Sequence, residues 1–540
     1  MRGKPNLVLI TSDQHRGDCF GFEGRAVKTP HLDQLASSGA RFSSCITPSA
    51  MCQPARSSML TGLYPRTHGV IDNGIDLPRQ TGENGFAGQL TQAGYATAFI
   101  GKAHFSSYNT FTATGTPECR HSSSGYADDW LGPYMGFQHV ELAVLGHELA
   151  EMASQNKGQH YERWLRSGGG GEERLGLYGK RLAPDVGAMQ TWHSALPVAW
   201  HHSSWVGDRV IDFLDEERAD QPFCLWASFS DPHMPFDCPE PWSRMHHPDE
   251  VDLPTVRERG LDQRPWWHRA YVEDRSIDPA MDQAIYDHHE SLNRLPRRNG
   301  RARNYNDTEE QLRHTIANYF GMISLIDHNV GRILDAIASR GLDNATIVIF
   351  TSDHGDWLGD HGMMLKGPMF YEGLLRVGFL IKGPGIPAGK VVGDPISNTD
   401  VAATLLDYAG VESFYSMHGR SVRPMVESSS TSRDYAYGEW DLNPEHWGLD
   451  LKLRVVRTKR YKMTVEVNSG AGELYDLADD PAETVNRFES DRVVRKELEE
   501  MLNERPPDEL KDPLIPSLSL IHISEPTRPR LISYAVFCLK

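Results

Sequence analysis

Several short runs of apolar residues are spread along the chain, and each is continuous rather than alternating. Strands buried on both faces of a parallel sheet have this pattern, because helices cover both faces and keep the side chains out of water. These runs therefore predict the core strands of a largely parallel sheet. They lie at residues 6–11, 96–100, 222–228, 345–350 and 377–381.

Apolar residues at helical spacing separate several of these strands. Between residues 308 and 340 they recur every three or four positions, and Gly341 follows in the way that glycine commonly ends a helix. Strands that alternate with helices predict an α/β fold, a sheet sandwiched by helices. The shorter helical patterns lie at 29–36, 88–93, 207–217 and 399–409.

The pattern changes after about residue 420. Short strands at 454–459, 461–467 and 472–477, followed by a helical pattern at 493–502, predict a smaller C-terminal α+β subdomain packed on the main sheet. We expect a catalytic domain at residues 1–425 and this subdomain at 426–512. Residues 513–540 continue no pattern, and from about 517 they resemble translated cloning or adapter sequence.

Polar side chains follow several of the predicted strands, where ligand sites form in open α/β sheets. Carboxylate and amide oxygens among them suit Ca²⁺ or Mg²⁺, whereas an imidazole favours Mn²⁺. Structural alternatives stay open for each residue alone, since such an aspartate often caps a helix. The residues are Asp13, Gln14, Lys102, His104, His233, Asp353 and His354.

Cys52 lies in the segment Met-Cys-Gln-Pro-Ala-Arg-Ser-Ser-Met-Leu-Thr-Gly. Pro54 suits the first turn of a helix, which places Cys52 beside a helix N-terminus where N–H groups and the dipole favour an anion. Arg56 adds a positive charge there. The alternative is a small buried cysteine with a purely structural role.

Composition limits the class of protein. The 540 residues suffice for two domains, and 55 basic against 73 acidic residues give a net charge of −18, which argues against a nucleic-acid partner. No apolar run reaches the roughly 18 residues that span a membrane. Residues 1–5 contain no apolar h-region before the first strand, so we expect no signal peptide. Seven cysteines without paired spacing predict no disulfide framework. We expect a cytoplasmic protein without a membrane partner.

The conjunction of these motifs resembles the type I, formylglycine-dependent sulfatases of the alkaline phosphatase superfamily. The pattern Cys-x-Pro-x-Arg at Cys52, Gly-Lys-x-His at Lys102, and Lys366 occur in the family's order. The resemblance implies an alkaline-phosphatase-like fold with a mixed, largely parallel sheet. Many sulfatases carry aspartate where Gln14 stands and asparagine where His354 stands, and this chain's version resembles choline sulfatases and phosphonate monoester hydrolases.

The resemblance also implies a role for each site residue. One divalent ion is implied, with calcium expected and manganese or magnesium as alternatives, and Cys52 is implied to become formylglycine through a formylglycine-generating enzyme. Asn73 would lie next to the substrate, although a turn asparagine is an equal alternative. The implied catalytic residues are Cys52, Arg56, Lys102, His104, His233 and Lys366, and the implied metal ligands are Asp13, Gln14, Asp353 and His354.

The implied reaction is hydrolysis of a small-molecule sulfate ester to an alcohol and inorganic sulfate. A phosphonate monoester or phosphodiester hydrolase is one alternative, and a non-catalytic metal-dependent binding protein with an unmodified Cys52 is another. Residues 106–199 and 237–307 show weak patterns and are expected to form specificity loops. Aryl, choline and carbohydrate sulfates all stay open as substrates, as does the oligomeric state.

Overall fold

The structure is a computed structural model that describes residues 4–108, 113–143, 158–167, 170–188, 190–216, 221–272, 308–428, 433–442 and 450–510. The C-terminal part of the expected loop at 237–307, from residue 273, and the expected tail at 513–540 lie outside the described residues. Within the described residues, no helix has both the length and the apolarity needed to cross a bilayer.

The strands β1 to β15, numbered along the described parts of the chain, belong to three sheets. They are Asn6–Ser12, Ala40–Ile46, Ala96–Gly101, His139–Leu142, Arg181–Leu182, His193–Ser194, Phe223–Ser228, Thr346–Ser352, Arg376–Lys382, Lys390–Val392, Ile396–Ser397, Tyr435–Asp441, Lys452–Thr458, Tyr461–Glu466 and Gly472–Asp476.

The largest sheet has nine strands in the part of the chain that the structure describes. Its order is β10-β2-β9-β8-β1-β7-β3-β4, and β11 also pairs with β2. Strand β9 runs antiparallel to both of its neighbours, β2 and β8, whereas the other pairings in this sheet are parallel. The prediction of a mixed, largely parallel sheet is therefore confirmed.

Helices cover both faces of this sheet. Strand β1 shows this directly, because Leu7 and Leu9 pack in one apolar cluster while Val8 and Ile10 pack in another. The α-helices of the described residues are Pro30–Ser38, Cys52–Thr61, Pro65–His68, Arg79–Glu83, Phe86–Gln92, Arg120–Ser123, His160–Arg166, Gly171–Tyr178, His202–Asp215, Trp266–Val272, Glu309–Ser339, Glu372–Leu375, Asp400–Ala409, Arg423–Glu427 and Arg492–Asn503.

The elements predicted from continuous apolar runs match the structure to within a few residues. The short strands β5, β6, β10 and β11 and the longer β2, β4 and β12 were not predicted from the sequence. Strand β2 explains the failure, because Arg41 and Ser43 alternate with buried residues and so interrupt the apolar run. In β12, Tyr435 and Asp441 lie at the partly exposed ends and Gly438 and Glu439 lie between them, which again leaves no continuous apolar stretch.

The second sheet is antiparallel, with the order β12-β13-β14-β15. The helix Arg492–Asn503 packs on it through the buried Leu498, which joins Val456, Met463 and Leu474 in one apolar cluster. This is the smaller α+β unit that the alternating C-terminal pattern predicts.

A buried group of charges joins this sheet to the short helix Glu372–Leu375. Lys462 of β14 is 1% exposed, contacts Glu483, and lies 3.6 Å from Glu372, measured from Nζ to Oε1. Arg457 of β13 donates to the same Glu372 at 3.2 Å. A charge buried in this way is tolerated only while its partners neutralise it.

We expect the substitution Lys462→Ala to lower the free energy of unfolding by about 3–5 kcal/mol, because it leaves buried carboxylates without their cation. Urea denaturation followed by intrinsic fluorescence measures this loss. The control is Lys496→Ala, since Lys496 is 78% exposed and its partner Glu500 lies 3.9 Å away. Equal midpoints for the two variants would contradict a stabilising role of Lys462.

Candidate active site

Four neighbouring strands end at the same level of the large sheet. Ser12 of β1 is paired with Ser352 of β8, and the preceding residue of β1 is paired with Ser228 of β7, which in turn faces Gly101 of β3. All four strands are parallel, so their carboxyl ends meet at one edge. The loops that follow them carry the polar residues identified in the sequence.

Asp13 and Asp353 leave adjacent strands and are fully buried. The backbone N–H of Gln14 donates to Asp353 Oδ1 at 3.0 Å, which ties the two loops together. The backbone N–H of Asp13 donates to the carbonyl of Asp231, in the loop after β7, at 2.9 Å. The two carboxylates therefore lie side by side at the centre of the edge.

Cys52 is the first residue of the helix Cys52–Thr61. Met51, before it, has an extended backbone, Pro54 lies in the first turn, and Gly62 ends the helix with a left-handed φ of 68°. The proline therefore lies where its missing N–H costs no helical hydrogen bond. The Cys52 side chain consequently lies at the helix N-terminus, as the sequence pattern predicts.

The Cys52 thiol has close cationic and imidazole neighbours. Its Sγ lies 2.9 Å from Lys366 Nζ and 3.2 Å from His354 Nε2, and Lys366 Nζ lies 3.2 Å from that same His354 Nε2. Asp13 Oδ1 is 3.7 Å from Sγ. A sulfur atom, a lysine and the two strand-end loops thus meet at one buried point.

Asn73 supports the Cys52 helix. Its Oδ1 accepts the backbone N–H of Gln53, the second residue of the helix, at 3.0 Å. Its Nδ2 is buried and has no hydrogen-bond partner among the described residues. The side chain therefore caps the helix that carries Cys52 and offers one buried N–H donor.

Arg56 is hydrogen-bonded to both buried carboxylates. Its Nε donates to Asp353 Oδ2 at 2.9 Å and its Nη2 to Asp13 Oδ2 at 3.3 Å. Its Nη1 donates to the Lys102 carbonyl at 2.6 Å and to Ser228 Oγ at 2.8 Å. The guanidinium is fully buried and links all four strand ends.

The loop after β3 brings Lys102 to the same carboxylates. Gly101 has φ 112°, and a Cβ there would lie 1.9 Å from the Ser228 carbonyl oxygen, so only glycine fits this close approach. Lys102 Nζ lies 2.5 Å from Asp13 Oδ2. His104 has a left-handed φ of 54° and is also buried.

His233 lies in the loop after β7 and is 6% exposed. Its Nδ1 is 2.8 Å from the Met234 carbonyl, so Nδ1 carries the proton in the neutral ring. Its Nε2 is buried without a hydrogen-bond partner among the described residues. Burial, followed by the cations of Lys366 and Lys102, holds the pKa of His233 well below its usual value.

A cluster of atoms of the kinds that bind metal ions lies within this site. One donor atom each from Asp13, Cys52, Asp353 and His354 lies within 4.8 Å of the others, and all four residues are buried. His354 Nδ1 is 2.8 Å from the Gly355 carbonyl, which leaves the lone pair on Nε2 available in the neutral ring. Such a second contact is typical of metal-binding histidines.

Gln14 adds an amide oxygen next to this set. Its Oε1 is buried and has no hydrogen-bond partner among the described residues, although its other polar groups are all bonded. A buried acceptor without a partner is costly unless a ligand satisfies it. Two carboxylates, an amide oxygen and an imidazole are a donor set that fits a divalent cation.

Electrostatics in the site favour negatively charged groups. Burial alone would raise the pKa of Asp13, but Lys102, His233 and Arg56 outweigh it and hold that pKa well below its usual value. Burial and Asp13 act to raise the pKa of the Cys52 thiol, but the cations of Lys366 and Lys102 together lower it. The site therefore stabilises negative charge on the atom at position 52.

Two further groups support the site, and the sequence predictions did not include them. Asp356 accepts hydrogen bonds from Gln14 and from the backbone of Leu365, the residue before the site lysine. Asp231 accepts from Ser203 Oγ at 2.6 Å and thereby anchors the loop of His233. The only sequence signal for either is an aspartate within a few residues of a strand end.

Family models and known proteins match this chain over most of its length. The family model described as Sulfatase matches residues 5–411, and one described as N-sulphoglucosamine sulphohydrolase, C-terminal, matches residues 359–508. An arylsulfatase of Clostridium perfringens is 30% identical over 501 residues, which cover 91% of this chain and 92% of that protein. A choline-sulfatase of Rhizobium meliloti is 28% identical, covering 91% and 83% of the two chains.

Among solved structures, a phosphonate monoester hydrolase of Agrobacterium radiobacter superposes with a TM-score of 0.70 and 28% identity. The match covers 92% of this chain and 95% of that one.

Proposed function

The chain belongs to the sulfatase family and is a sulfatase enzyme, and from that premise we propose that it hydrolyses small-molecule sulfate monoesters with a formylglycine formed from Cys52. The observation that carries this proposal is the meeting of Cys52 Sγ, Lys366 Nζ and the metal-ligand atoms in one buried pocket. Family membership removes the alternative of a non-catalytic binding protein.

Asp13, Gln14, Asp353 and His354 would hold one divalent ion, with Ca²⁺ preferred for its oxygen ligands and Mn²⁺ or Mg²⁺ as alternatives. When bound, that ion would supply positive charge for the sulfate oxygens and favour an ionised nucleophile. Conversion of Cys52 to formylglycine would replace the thiol by an aldehyde whose hydrate offers a hydroxyl to attack sulfur. The thiol sulfur in this structure stands in for that hydroxyl oxygen.

The fixed cations of the pocket would act on the substrate. Lys102 and Lys366 would bind sulfate oxygens and stabilise the charge that develops on them during transfer. Arg56 donates hydrogen bonds to both carboxylates. It would keep Asp13 and Asp353 ionised and correctly positioned for the ion. Because these charges are buried, they act at low dielectric and need no reorganisation during the reaction.

Two histidines would move protons. His233 would donate from Nε2 to the leaving alcohol oxygen, and its low pKa means that it must gain this proton in the substrate complex. His104, whose pKa burial and then Lys102 hold well below its usual value, would be neutral and able to accept a proton from the second hydroxyl of the hydrate. That transfer would expel sulfate and restore the aldehyde.

Mass spectrometry of the active-site peptide tests the modification. Protein made together with a formylglycine-generating enzyme should yield a peptide in which residue 52 is about 18 Da lighter than cysteine. The same chain made without that enzyme should keep its thiol mass and hydrolyse sulfate esters far more slowly. Unmodified Cys52 in fully active protein would overturn the proposed nucleophile.

A phosphonate monoester hydrolase is the second candidate, because that structural relative shares 28% of the sequence over nearly the whole chain. Turnover of 4-nitrophenyl sulfate and of a 4-nitrophenyl phosphonate by the same preparation separates the two candidates. A higher kcat/KM for the sulfate than for the phosphonate supports a sulfate ester as the substrate. A strong preference for the phosphonate would overturn the proposed substrate while leaving the site intact.

We expect His233→Gln to reduce turnover according to the basicity of the leaving alcohol. An alkyl sulfate should lose about 10²–10⁴-fold, because its alkoxide cannot leave without a proton, whereas 4-nitrophenyl sulfate should lose much less. Steady-state kinetics on both esters measure the difference.

The control is His246→Gln, since His246 is buried away from these groups and bonds Ser324 at 2.9 Å. Its effect should be the same for both esters. An equal loss for both esters in the H233Q variant would argue against His233 as the proton donor.

A further inference from the structure

Gln14 has four polar groups, and three of them have partners. Its backbone N–H donates to Asp353 at 3.0 Å, its carbonyl accepts from Tyr319 Oη at 2.6 Å, and its Nε2 donates to Asp356 Oδ2 at 2.5 Å. The two ends of an amide have nearly the same shape, so a partner must decide which end faces a cation. Here that partner is Asp356.

Asp356 is fully buried, and its carboxylate accepts hydrogen bonds from three groups. Besides Gln14, its Oδ1 accepts the backbone N–H of Leu358 at 2.6 Å and of Leu365 at 2.9 Å. A carboxylate that only accepts must face the NH₂ end of the amide. The Gln14 oxygen is then left without a hydrogen-bond donor among the described residues.

The three residues that donate to the Asp356 carboxylate share an uncommon backbone conformation. Gln14, Leu358 and Leu365 have φ values of 64°, 47° and 66°, in the left-handed region that non-glycine residues avoid. Such conformations persist where surrounding contacts hold them. One carboxylate therefore restrains the proposed metal ligand and the loop that ends at Lys366.

We propose that Asp356 is a positioning residue that directs the oxygen of Gln14, rather than its NH₂ group, toward the divalent ion and aligns the loop of Lys366 with it. This inference rests on the proposed role of Gln14 as a metal ligand. It also explains how an amide serves where many sulfatases have a carboxylate: the negative charge stands one hydrogen bond further out.

Binding of Ca²⁺ and Mn²⁺, measured by equilibrium dialysis on the metal-free protein, tests the proposal without using turnover. D356N should weaken affinity by about 10–100-fold, because an amide now faces an amide and Gln14 can turn its NH₂ toward the ion. In the Q14E/D356N double variant, carboxylate and amide exchange places. Affinity should return to the wild-type value or exceed it.

A second comparison separates positioning from general damage. In the Q14A background, D356N should change metal affinity by less than about threefold, because the group that Asp356 orients is gone. The control is Asp360→Asn. Asp360 lies in the same loop as Asp356 but pairs with Arg16, so this variant should leave metal affinity unchanged. Equal losses from D356N with and without Gln14 would overturn the proposal.

Thermal melting of the metal-free variants keeps the test decisive if D356N does not fold by itself. Two carboxylates face each other in Q14E, so Q14E/D356N should melt at a higher temperature than Q14E. A lower or equal temperature would overturn the inference. If wild-type protein binds neither ion, the proposed metal site fails as well, whereas tight wild-type binding with unchanged affinity in D356N refutes only the role of Asp356.

Discussion

The substitution Cys52→Ala is expected to abolish sulfate ester hydrolysis, with a loss of about 10⁴-fold or more in kcat. The reason is chemical: a methyl group offers no nucleophile at the start of the helix Cys52–Thr61, where Cys52 Sγ lies 2.9 Å from Lys366 Nζ. The remaining cations and carboxylates would still bind substrate, so KM should change much less than kcat. Turnover of 4-nitrophenyl sulfate by modified wild-type protein and by the variant measures the loss.

The C52S variant adds a sharper readout. It keeps a hydroxyl but lacks the second oxygen on the same carbon, so transfer to it should give one sulfate per protein and then stop. Intact mass spectrometry should show a gain of about 80 Da after incubation with substrate. The control is Cys224→Ala, at the second residue of the buried strand β7, which should retain turnover. Near-normal turnover in the C52A variant would rule out Cys52 as the nucleophile.

The substitution Asp353→Asn is expected to have the next largest effect, a loss of about 10³-fold in kcat/KM together with loss of metal binding. Asp353 accepts from Arg56 Nε at 2.9 Å and from the backbone N–H groups of Gln14 and His354 at 3.0 and 2.9 Å. An amide can keep only some of these contacts and brings no charge to the ion. The proposed ligand set loses one negative charge, and the buried Arg56 guanidinium loses one of its two carboxylate partners.

Thermal melting with and without divalent ion measures the binding part of this prediction. Wild-type protein should gain about 2.7 kcal/mol of stability at a hundred times the metal Kd, and lose it again when a chelator is added. D353N should show no such shift, whereas Asp360→Asn should shift like wild-type. A full metal-dependent shift in D353N would contradict its assignment as a ligand.

The strands and their ends could be predicted from the sequence because they depend on local pattern. Strand β1 is a continuous apolar run since both of its faces are covered, and this leaves Asp13 and Gln14 at its carboxyl end. The same reasoning located Asp353 after β8. That these residues share one site followed from the family resemblance, and the pairing of Ser12 with Ser352 gives its physical basis.

Other features depend on partners far away in the chain. Asn73 caps the helix of Cys52, and Arg56 is hydrogen-bonded to residues from four strand ends, but neither contact has a local sequence signal. Strand β2 was missed because the partly exposed Arg41 and Ser43 interrupt its apolar run, and its sheet partner β9 comes more than three hundred residues later in the chain. Asp356 looked like one more polar loop residue until its three donors were in place.

The amino-acid sequence by itself determined which segments are buried strands and helices and which side chains stand at their ends, because apolar periodicity and turn residues act over a few positions. Only the tertiary structure decided which of those side chains touch, which end of the Gln14 amide is left without a donor, and which cations neutralise which carboxylates. Those choices depend on distances between segments hundreds of residues apart. They are set by the pairing of parallel strands and by the cost of burying an unpaired charge.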